Sequence, residues 1–217
     1  MKRAERIPFI IDYFLEHSPD AASELQFRNP FELLVATILS AQCTDKRVNS
    51  VTPTLFRHYP DAATMSQASE EDILTLISSV SYPNSKARHL KAMAVMLHKD
   101  FYDEVPATTE QLTRLPGVGR KTANVVQAVA FGKSAMAVDT HVFRVSHRLG
   151  LVPRNASTPL AVEKALMRVF PSELISKAHH WLLLHGRYVC TSQRPHCADC
   201  GLEQVCPKLM KDSKLSS

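Results

Sequence analysis

The sequence predicts an all-α protein, and three observations support that prediction. Apolar residues recur at the three- and four-residue spacing of helices along most of the 217-residue chain. The alternating runs that are typical of strands are scarce. Helix-starting residues stand directly before the apolar stretches, as Asn29 does before Pro30. With 45% hydrophobic and 22% charged residues, the chain has the composition of a folded globular protein.

Each predicted helix has a start signal or a stop signal. Asn29-Pro30 begins the first, and Ser69–Asp72 forms a capping box before the second. Thr108–Gln111 is a second capping box, and Gly150 and Gly186 are typical of helix ends. The other predicted helices cover residues 84–98, 120–131, 140–149, 158–170 and 172–185.

Charge and cysteine usage restrict the class of protein. The net charge of +5 favours an anionic partner only mildly. The longest nearly unbroken apolar stretch, Leu33–Leu39, is too short to cross a bilayer, and the N-terminal residues lack the apolar segment of a secretory signal. Four of the five cysteines lie close together in the last 30 residues or so, which indicates a metal site in a reducing compartment. We therefore expect a cytoplasmic protein, with Cys43 as a buried small hydrophobic residue.

A Gly-x-Gly hairpin between two predicted helices is the strongest motif in the middle of the chain. It lies within Leu115–Ala123 and reads Leu-Pro-Gly-Val-Gly-Arg-Lys-Thr-Ala. The glycines let a ligand approach the backbone, and the amides and positive end of the next helix suit a phosphate. A plain turn between two helices is the alternative. The candidate contact residues are Leu115, Gly117, Val118, Gly119, Arg120 and Thr122.

This hairpin resembles the helix-hairpin-helix element of DNA glycosylases. The stretch Ala137–Val145 follows at the place where that superfamily carries its catalytic aspartate. Further on, His179–Cys190 leads into the cysteine-rich segment. From Asn29 to Pro207, the chain resembles the endonuclease III family, which consists of iron–sulfur DNA glycosylases with lyase activity.

Lys121 follows the hairpin directly and is the candidate nucleophile. A protonated lysine is a poor nucleophile, but a helix N-terminus and partial burial in a cleft both favour the neutral amine. The neutral amine can attack a sugar C1′ atom and form a Schiff base. Sequence position alone leaves a solvated surface lysine as the alternative, and the resemblance implies the catalytic role.

Asp139 is the candidate carboxylate partner, 18 residues after Lys121. Cleavage of an N-glycosidic bond builds positive charge on the deoxyribose, and a nearby carboxylate stabilises that charge. An N-cap role at the next helix is the alternative, and the two roles are compatible. The resemblance implies the catalytic role for Asp139 and a DNA-contacting position for His141.

The cysteine spacing C-x6-C-x2-C-x5-C suits one compact cofactor. The four residues are Cys190, Cys197, Cys200 and Cys206. Zinc ribbons usually pair two C-x2-C knuckles, and only one is present, although His196 keeps zinc open as an alternative. The resemblance implies a [4Fe–4S] cluster on these four thiolates.

Two further segments match loops that the family inserts into DNA at a flipped nucleotide. Gln42 carries an amide that can fill a base-sized gap and pair with the orphaned base. Tyr82 stands where the family carries an aliphatic wedge, and Pro83 follows it, so this loop departs from the family pattern. Packing of Tyr82 against its own lobe is the alternative.

The resemblance implies two helical lobes that flank a DNA-binding cleft, with Lys121 opposite Asp139. A six-helix barrel with the hairpin covers residues 24–133, and the cluster lobe covers 1–23 and 134–217. The implied activity is that of a monomeric enzyme on damaged double-stranded DNA, which excises oxidised pyrimidines and nicks the abasic site by β-elimination. A monofunctional adenine glycosylase is disfavoured because it lacks the hairpin lysine. A non-enzymatic zinc module that binds DNA would leave Lys121 and Asp139 without a role.

Overall fold

A computed structural model describes residues 2–208, and every regular element in that range is helical. The all-α prediction is therefore confirmed. Met1 and residues 209–217, which belong to the predicted cluster lobe, lie outside the described residues. Two short 3-10 turns cover Ser172–Leu174 and Cys197–Asp199. The α-helices are α1 (Arg3–His17), α2 (Pro30–Leu39), α3 (Asp45–His58), α4 (Ala62–Gln67), α5 (Glu70–Ile77), α6 (Pro83–Asp100), α7 (Thr109–Leu112), α8 (Arg120–Phe131), α9 (Thr140–Arg148), α10 (Pro159–Val169) and α11 (Ile175–Tyr188).

The chain divides into two compact units. The middle unit is Ser23–Lys133 and contains α2 to α8. The terminal unit comprises the residues before Ser23 together with those from Ser134 onward, and it contains α1 and α9 to α11. Each unit has its own hydrophobic core. The hairpin therefore belongs to the middle unit, and the cysteine segment belongs to the terminal unit.

Side-chain caps begin most of the helices at the residues that the sequence indicates. Asn29 accepts a hydrogen bond from the amide of Glu32 at 2.9 Å, and Pro30 is the first residue of α2. Ser69 and Asp72 form the expected reciprocal capping box of α5. Thr108 caps α7 through the amide of Gln111, but the reciprocal half of that predicted box is absent. Local side-chain chemistry thus sets where these helices start.

Two differences from the sequence prediction have physical causes. The sequence prediction contains no helix at α1, α3 or α4; α1 and α3 have a proline inside them, Pro8 and Pro53, and proline normally interrupts a helix. The predicted stop at Gly186 is wrong, since α11 continues to Tyr188. A Cβ at Gly186 would lie 2.8 Å from the Cβ of His141, so this glycine allows α11 to pack closely on α9 instead of ending the helix.

The two cores are apolar and well filled. In the middle unit, Leu34, Leu55 and Leu90 are completely buried. In the terminal unit, Trp181 is 1% exposed and stacks on Phe14 with ring centroids 5.6 Å apart. Among residues 2–208, no helix has the length and hydrophobicity that a membrane span requires.

Candidate functional site

The hairpin joins α7 to α8 in the middle unit, and its two glycines have different roles. Gly117 has a φ of 80°, in the left-handed region, and a Cβ there would approach the Cβ of His89 to 3.0 Å. Gly119 is the N-cap of α8, and nothing lies within 4 Å of the position its Cβ would take. Gly117 is therefore required by the turn itself, whereas Gly119 leaves open space beside the backbone.

The start of α8 carries backbone amides without protein partners. The amide of Val118 donates to the carbonyl oxygen of Leu115 at 3.0 Å, which closes the turn. Within residues 2–208, no backbone carbonyl oxygen accepts a hydrogen bond from the amides of Gly119, Lys121 and Thr122. Gly119 also has no side chain with which to cap them. The first turn of α8 therefore provides donors that are available to an anion.

The other hairpin residues named from the sequence differ in accessibility. Leu115 and Val118 are 2% and 7% exposed, and they belong to the core of the middle unit. This burial limits any DNA contact of these two residues to main-chain atoms. Arg120 is exposed and Thr122 is half-buried. Gly117 is also exposed.

Lys121 is the second residue of α8, and its side chain is exposed. Its own backbone amide is one of those that have no backbone acceptor within residues 2–208. The partial burial expected from the sequence is not provided by the chain itself.

Asp139 is the N-cap of α9 in the terminal unit. Its Oδ1 accepts a hydrogen bond from the amide of Val142 at 2.8 Å, so the capping alternative is confirmed. Its other carboxylate oxygen has no protein partner among residues 2–208. Capping fixes the orientation of the carboxylate and leaves Oδ2 available. The nearby His141 is half-buried, with its Nδ1 at 3.2 Å from a guanidinium nitrogen of Arg144.

Gln42 and Tyr82 lie in two turns of the middle unit, and both have left-handed backbones. Gln42 has a φ of 53° and is exposed, in the turn between α2 and α3. Tyr82 has a φ of 55°, is the N-cap of α6, and is 66% exposed. Such exposure does not support the alternative that Tyr82 only packs against its own unit. Cys43, next to Gln42, packs against the core but is only half-buried, so it is less buried than the sequence predicts.

The four C-terminal cysteines line one pocket of the terminal unit. All four are free thiols of intermediate burial. The pocket is otherwise lined mainly by apolar and histidine side chains, including Leu149, Val189 and His185. Within residues 2–208, no three His, Cys, Asp or Glu side chains converge on a position that a single metal ion would occupy. The pocket walls therefore carry four separated thiols.

The environment of the pocket favours the uncharged forms of its titratable side chains. Burial is the largest cause that raises the pKa of the Cys200 thiol, and the other three cysteines raise it further. Burial also raises the pKa of Cys206. The pKa of His185, whose Nε2 lies 3.7 Å from the Cys200 sulfur, is lowered by burial to about 4. A cation that binds the thiolates would therefore displace protons from them.

Two buried arginines that the sequence reasoning missed hold the cysteine segment. Arg144 and Arg148 on α9 are 6% and 5% exposed. Arg144 donates to the carbonyl oxygens of Gly186 and Cys190 at 2.8 and 3.1 Å. Arg148 donates to the carbonyl oxygens of Thr191 and Ser192 and lies 3.4 Å from the Cys190 sulfur. Their spacing of four residues places both on one face of α9, but that spacing alone does not distinguish a buried arginine from a solvated one.

Comparison with known proteins adds independent evidence. The HhH-GPD superfamily of base excision DNA repair proteins matches residues 35–172. Endonuclease III of Bacillus subtilis (strain 168) is 45% identical over 214 residues, which is 99% of this chain and 97% of that protein. Endonuclease III of Escherichia coli (strain K12) is 42% identical over 207 residues, covering 95% and 96%.

Solved structures show the same relationship. A trapped covalent intermediate of endonuclease III with DNA has a TM-score of 0.90 and 44% sequence identity, and the match covers 96% of this chain and 97% of that one. A thermostable thymine-DNA glycosylase, at 22% identity and a TM-score of 0.85, shares the fold. The chain therefore belongs to the endonuclease III family within the HhH-GPD superfamily of base excision DNA repair proteins.

Proposed function

We propose that this chain, as a DNA glycosylase and AP lyase of base excision repair, removes oxidised pyrimidines from duplex DNA through Lys121 and Asp139. The observation that carries the proposal is the start of α8, where an exposed lysine lies among amides that have no backbone acceptor within residues 2–208. Those amides and the helix dipole suit a DNA phosphate. A phosphate held there brings the adjoining sugar to the amine of Lys121.

Lys121 supplies the covalent chemistry. Its neutral Nζ attacks C1′ of the damaged nucleotide, the glycosidic bond breaks, and the base leaves with the bonding electrons and a proton. The nitrogen lone pair then breaks the C1′–O4′ bond, O4′ takes up a proton, and the opened ring is left as a protonated Schiff base between Nζ and C1′. Removal of a C2′ proton then expels the 3′ phosphate by β-elimination, and water hydrolyses the Schiff base. Since Lys121 is exposed in the free chain, the DNA itself excludes water from this amine.

Asp139 stabilises the positive charge that develops on the sugar as the base departs. The carboxylate also accepts the proton that the amine loses. Its hydrogen bond with the Val142 amide holds the side chain in one orientation, so no reorganisation is required during the reaction. His141 contacts the DNA backbone near this position.

The preference for oxidised pyrimidines follows from stacking. An oxidised pyrimidine such as thymine glycol loses aromaticity and stacks poorly, so its extrusion costs less than the few kcal/mol of a normal base. Gln42 fills the vacated space and pairs with the orphaned base, and Tyr82 stacks beside it. Both side chains are exposed on left-handed turns, and strained residues of this kind are concentrated at ligand-binding sites.

A [4Fe–4S] cluster on Cys190, Cys197, Cys200 and Cys206 is part of the proposal. Four free thiols that line one pocket suit it, because a cluster distributes its four thiolates over several iron atoms. A zinc ion would instead gather all four at about 2.3 Å from one centre. When bound, the cluster cross-links the C-terminal segment, and Arg144 and Arg148 hold the same segment through its carbonyl oxygens. Metal analysis tests this: we expect about four irons per chain, and one zinc without iron after anaerobic purification would contradict it.

The free state of all five cysteines supports action in a reducing compartment, and we propose a cytoplasmic monomer. Light scattering of the purified protein at micromolar concentration tests the oligomeric state. A mass of one chain is expected, and a stable dimer would contradict the proposal.

The activity is tested with a duplex that carries one thymine glycol. The wild-type chain should release the base, nick the strand on the 3′ side of the lesion, and form a covalent adduct when borohydride reduces the Schiff base. Base release without nicking or adduct would indicate a monofunctional glycosylase. Binding without base release would indicate a DNA-binding module.

A further inference from the structure

Lys86 is a buried lysine to which the proposed reaction assigns no role. It lies in the first turn of α6 and is 5% exposed. Its Nζ donates to the carbonyl oxygens of Leu39 and Ala41 at 2.7 and 2.8 Å. Burial lowers its pKa, and the nearby Cys43 opposes that change. A lysine is rarely buried this far unless its ammonium group is paired with acceptors.

The bonds of Lys86 join two turns that are distant in sequence. Its side chain binds Leu39, the last residue of α2, and Ala41, which precedes Gln42. Its backbone amide donates to the carbonyl oxygen of Tyr82 at 3.2 Å. One residue is therefore hydrogen-bonded on both sides, to the turn of Gln42 and to the turn of Tyr82.

Both turns are held in a conformation that they would otherwise avoid. Gln42 and Tyr82 have φ values of 53° and 55°, in the left-handed region that residues other than glycine rarely adopt. Tyr82 also precedes Pro83, and proline further restricts the residue before it. Such strain persists only where surrounding bonds determine the backbone. The two carbonyl acceptors on either side of Ser40 place the ammonium group of Lys86 at the base of the Gln42 turn.

We infer that Lys86 is a positioning residue, which fixes the turns of Gln42 and Tyr82 as one unit so that both side chains enter the DNA together. This inference rests on the proposed function of those two side chains. Lys86 contacts neither DNA nor the reacting atoms, and it acts through the backbone that carries Gln42. Its loss therefore impairs the extrusion of an intact base more than the cleavage of an abasic site, where no base has to be extruded.

Lys91 provides a matched control on the same helix. Its Nζ also donates to a backbone carbonyl oxygen, that of Ser66 near the end of α4. It differs in joining α6 to a segment without any proposed DNA contact. Lys86→Met and Lys91→Met each remove one buried or part-buried ammonium group and keep most of the side-chain volume. Any loss of excision rate in Lys86→Met beyond the loss in Lys91→Met reports on the Gln42 turn.

The experiment compares three rates and one spectroscopic signal. We expect Lys86→Met to slow excision of thymine glycol about tenfold relative to Lys91→Met, because small misplacements are costly in catalysis. Nicking of a preformed abasic site should fall less than about threefold, since no base has to be extruded there. A duplex with a tetrahydrofuran abasic analogue opposite 2-aminopurine reports insertion directly, and its fluorescence change should decrease in Lys86→Met only. Adding Lys86→Met to Gln42→Ala should cause little further loss of excision.

The outcomes test the inference about Lys86 separately from the proposed function. If the wild-type chain excises thymine glycol but Lys86→Met matches Lys91→Met, the inference is overturned and the proposed function stands. Equal losses on the intact lesion and the abasic site also overturn it, as do fully additive effects of Lys86→Met and Gln42→Ala. If the wild-type chain shows no excision, the proposed function itself fails. Should Lys86→Met not yield soluble protein, Lys86→Gln, which keeps two N–H donors, takes its place in the same comparison.

Discussion

The starts of α8 and α9, one in each unit, differ in how the first backbone amides of the helix are capped. α8 begins at Gly119, which has no side chain, and the amides of Gly119, Lys121 and Thr122 have no backbone acceptor among the described residues. α9 begins at Asp139, whose carboxylate binds the amide of Val142 at 2.8 Å. An uncapped start offers donors to an external anion, whereas a capped start fixes a carboxylate. The way each helix is capped thus separates the terminus that we propose binds DNA from the one that we propose carries the catalytic carboxylate.

The largest effect is expected at the α8 start from Lys121→Gln. Glutamine keeps a polar side chain but has no nucleophilic amine, so nicking and borohydride trapping should fall at least about 1,000-fold. Binding to a thymine-glycol duplex, measured by fluorescence anisotropy, should be largely retained because the hairpin amides remain. The control is Lys133→Gln, two residues after the end of α8, which should trap normally. Undiminished trapping by Lys121→Gln would contradict the assignment of the nucleophile.

The corresponding change at the α9 start is Asp139→Asn. Asparagine caps a helix about as well as aspartate, so the free energy of unfolding should change by less than about 0.5 kcal/mol. Base excision should fall by about 100- to 1,000-fold, because the charge that stabilises the transition state is lost. Single-turnover kinetics and thermal unfolding measure the two effects. Asp61→Asn, at the capped start of α4, is the control and should leave excision unchanged. A near-normal excision rate in Asp139→Asn would mean that Asp139 acts only as a helix cap.

Replacing each of the two hairpin glycines by alanine distinguishes an effect on DNA affinity from an effect on stability. At Gly119 a Cβ meets open space in the free protein, so Gly119→Ala should cost less than about 1 kcal/mol of stability. The same methyl group crowds a bound phosphate, and DNA affinity should fall about tenfold. At Gly117 the left-handed backbone and the nearby His89 predict a larger loss of stability, about 1–2 kcal/mol or more. Unchanged DNA affinity in Gly119→Ala would exclude phosphate binding at this helix start.

The smallest effect is expected at a third helix start, where Tyr82 begins α6 without a side-chain cap. Tyr82→Ala should slow excision of thymine glycol about fivefold to tenfold, which is the low end of what base stacking contributes. Nicking of a preformed abasic site should be less affected. The control is Tyr102→Ala, because Tyr102 is also left-handed and is 89% exposed. Equal losses on both substrates would argue against a role of Tyr82 in base flipping.

Local signals in the sequence predict the parts of this fold that depend on neighbouring residues. The caps at Asn29 and Ser69 and the bounds of α8 are such parts, since each depends on a few adjacent side chains. The end of α11 is not, because Gly186 serves a distant contact with His141. Long-range packing decides that position, and a single sequence carries no sign of it.

The same distinction holds for the candidate site. The hairpin, Lys121 and the cysteines stand out because their chemistry is concentrated in short motifs. Arg144, Arg148 and Lys86 do not, since each acts on backbone carbonyl oxygens more than 40 residues away in sequence. Isolated basic residues on a helix indicate a solvated face as readily as a buried hydrogen bond. Their burial becomes visible only when the helices are packed.

The most direct test of the central claim is to locate the covalent bond. The wild-type chain is incubated with the thymine-glycol duplex and borohydride, the adduct is digested with protease and nuclease, and the modified peptide is sequenced by mass spectrometry. The account predicts that the sugar remnant is attached to Nζ of Lys121. Attachment to another lysine or to the N-terminal amine would contradict the account.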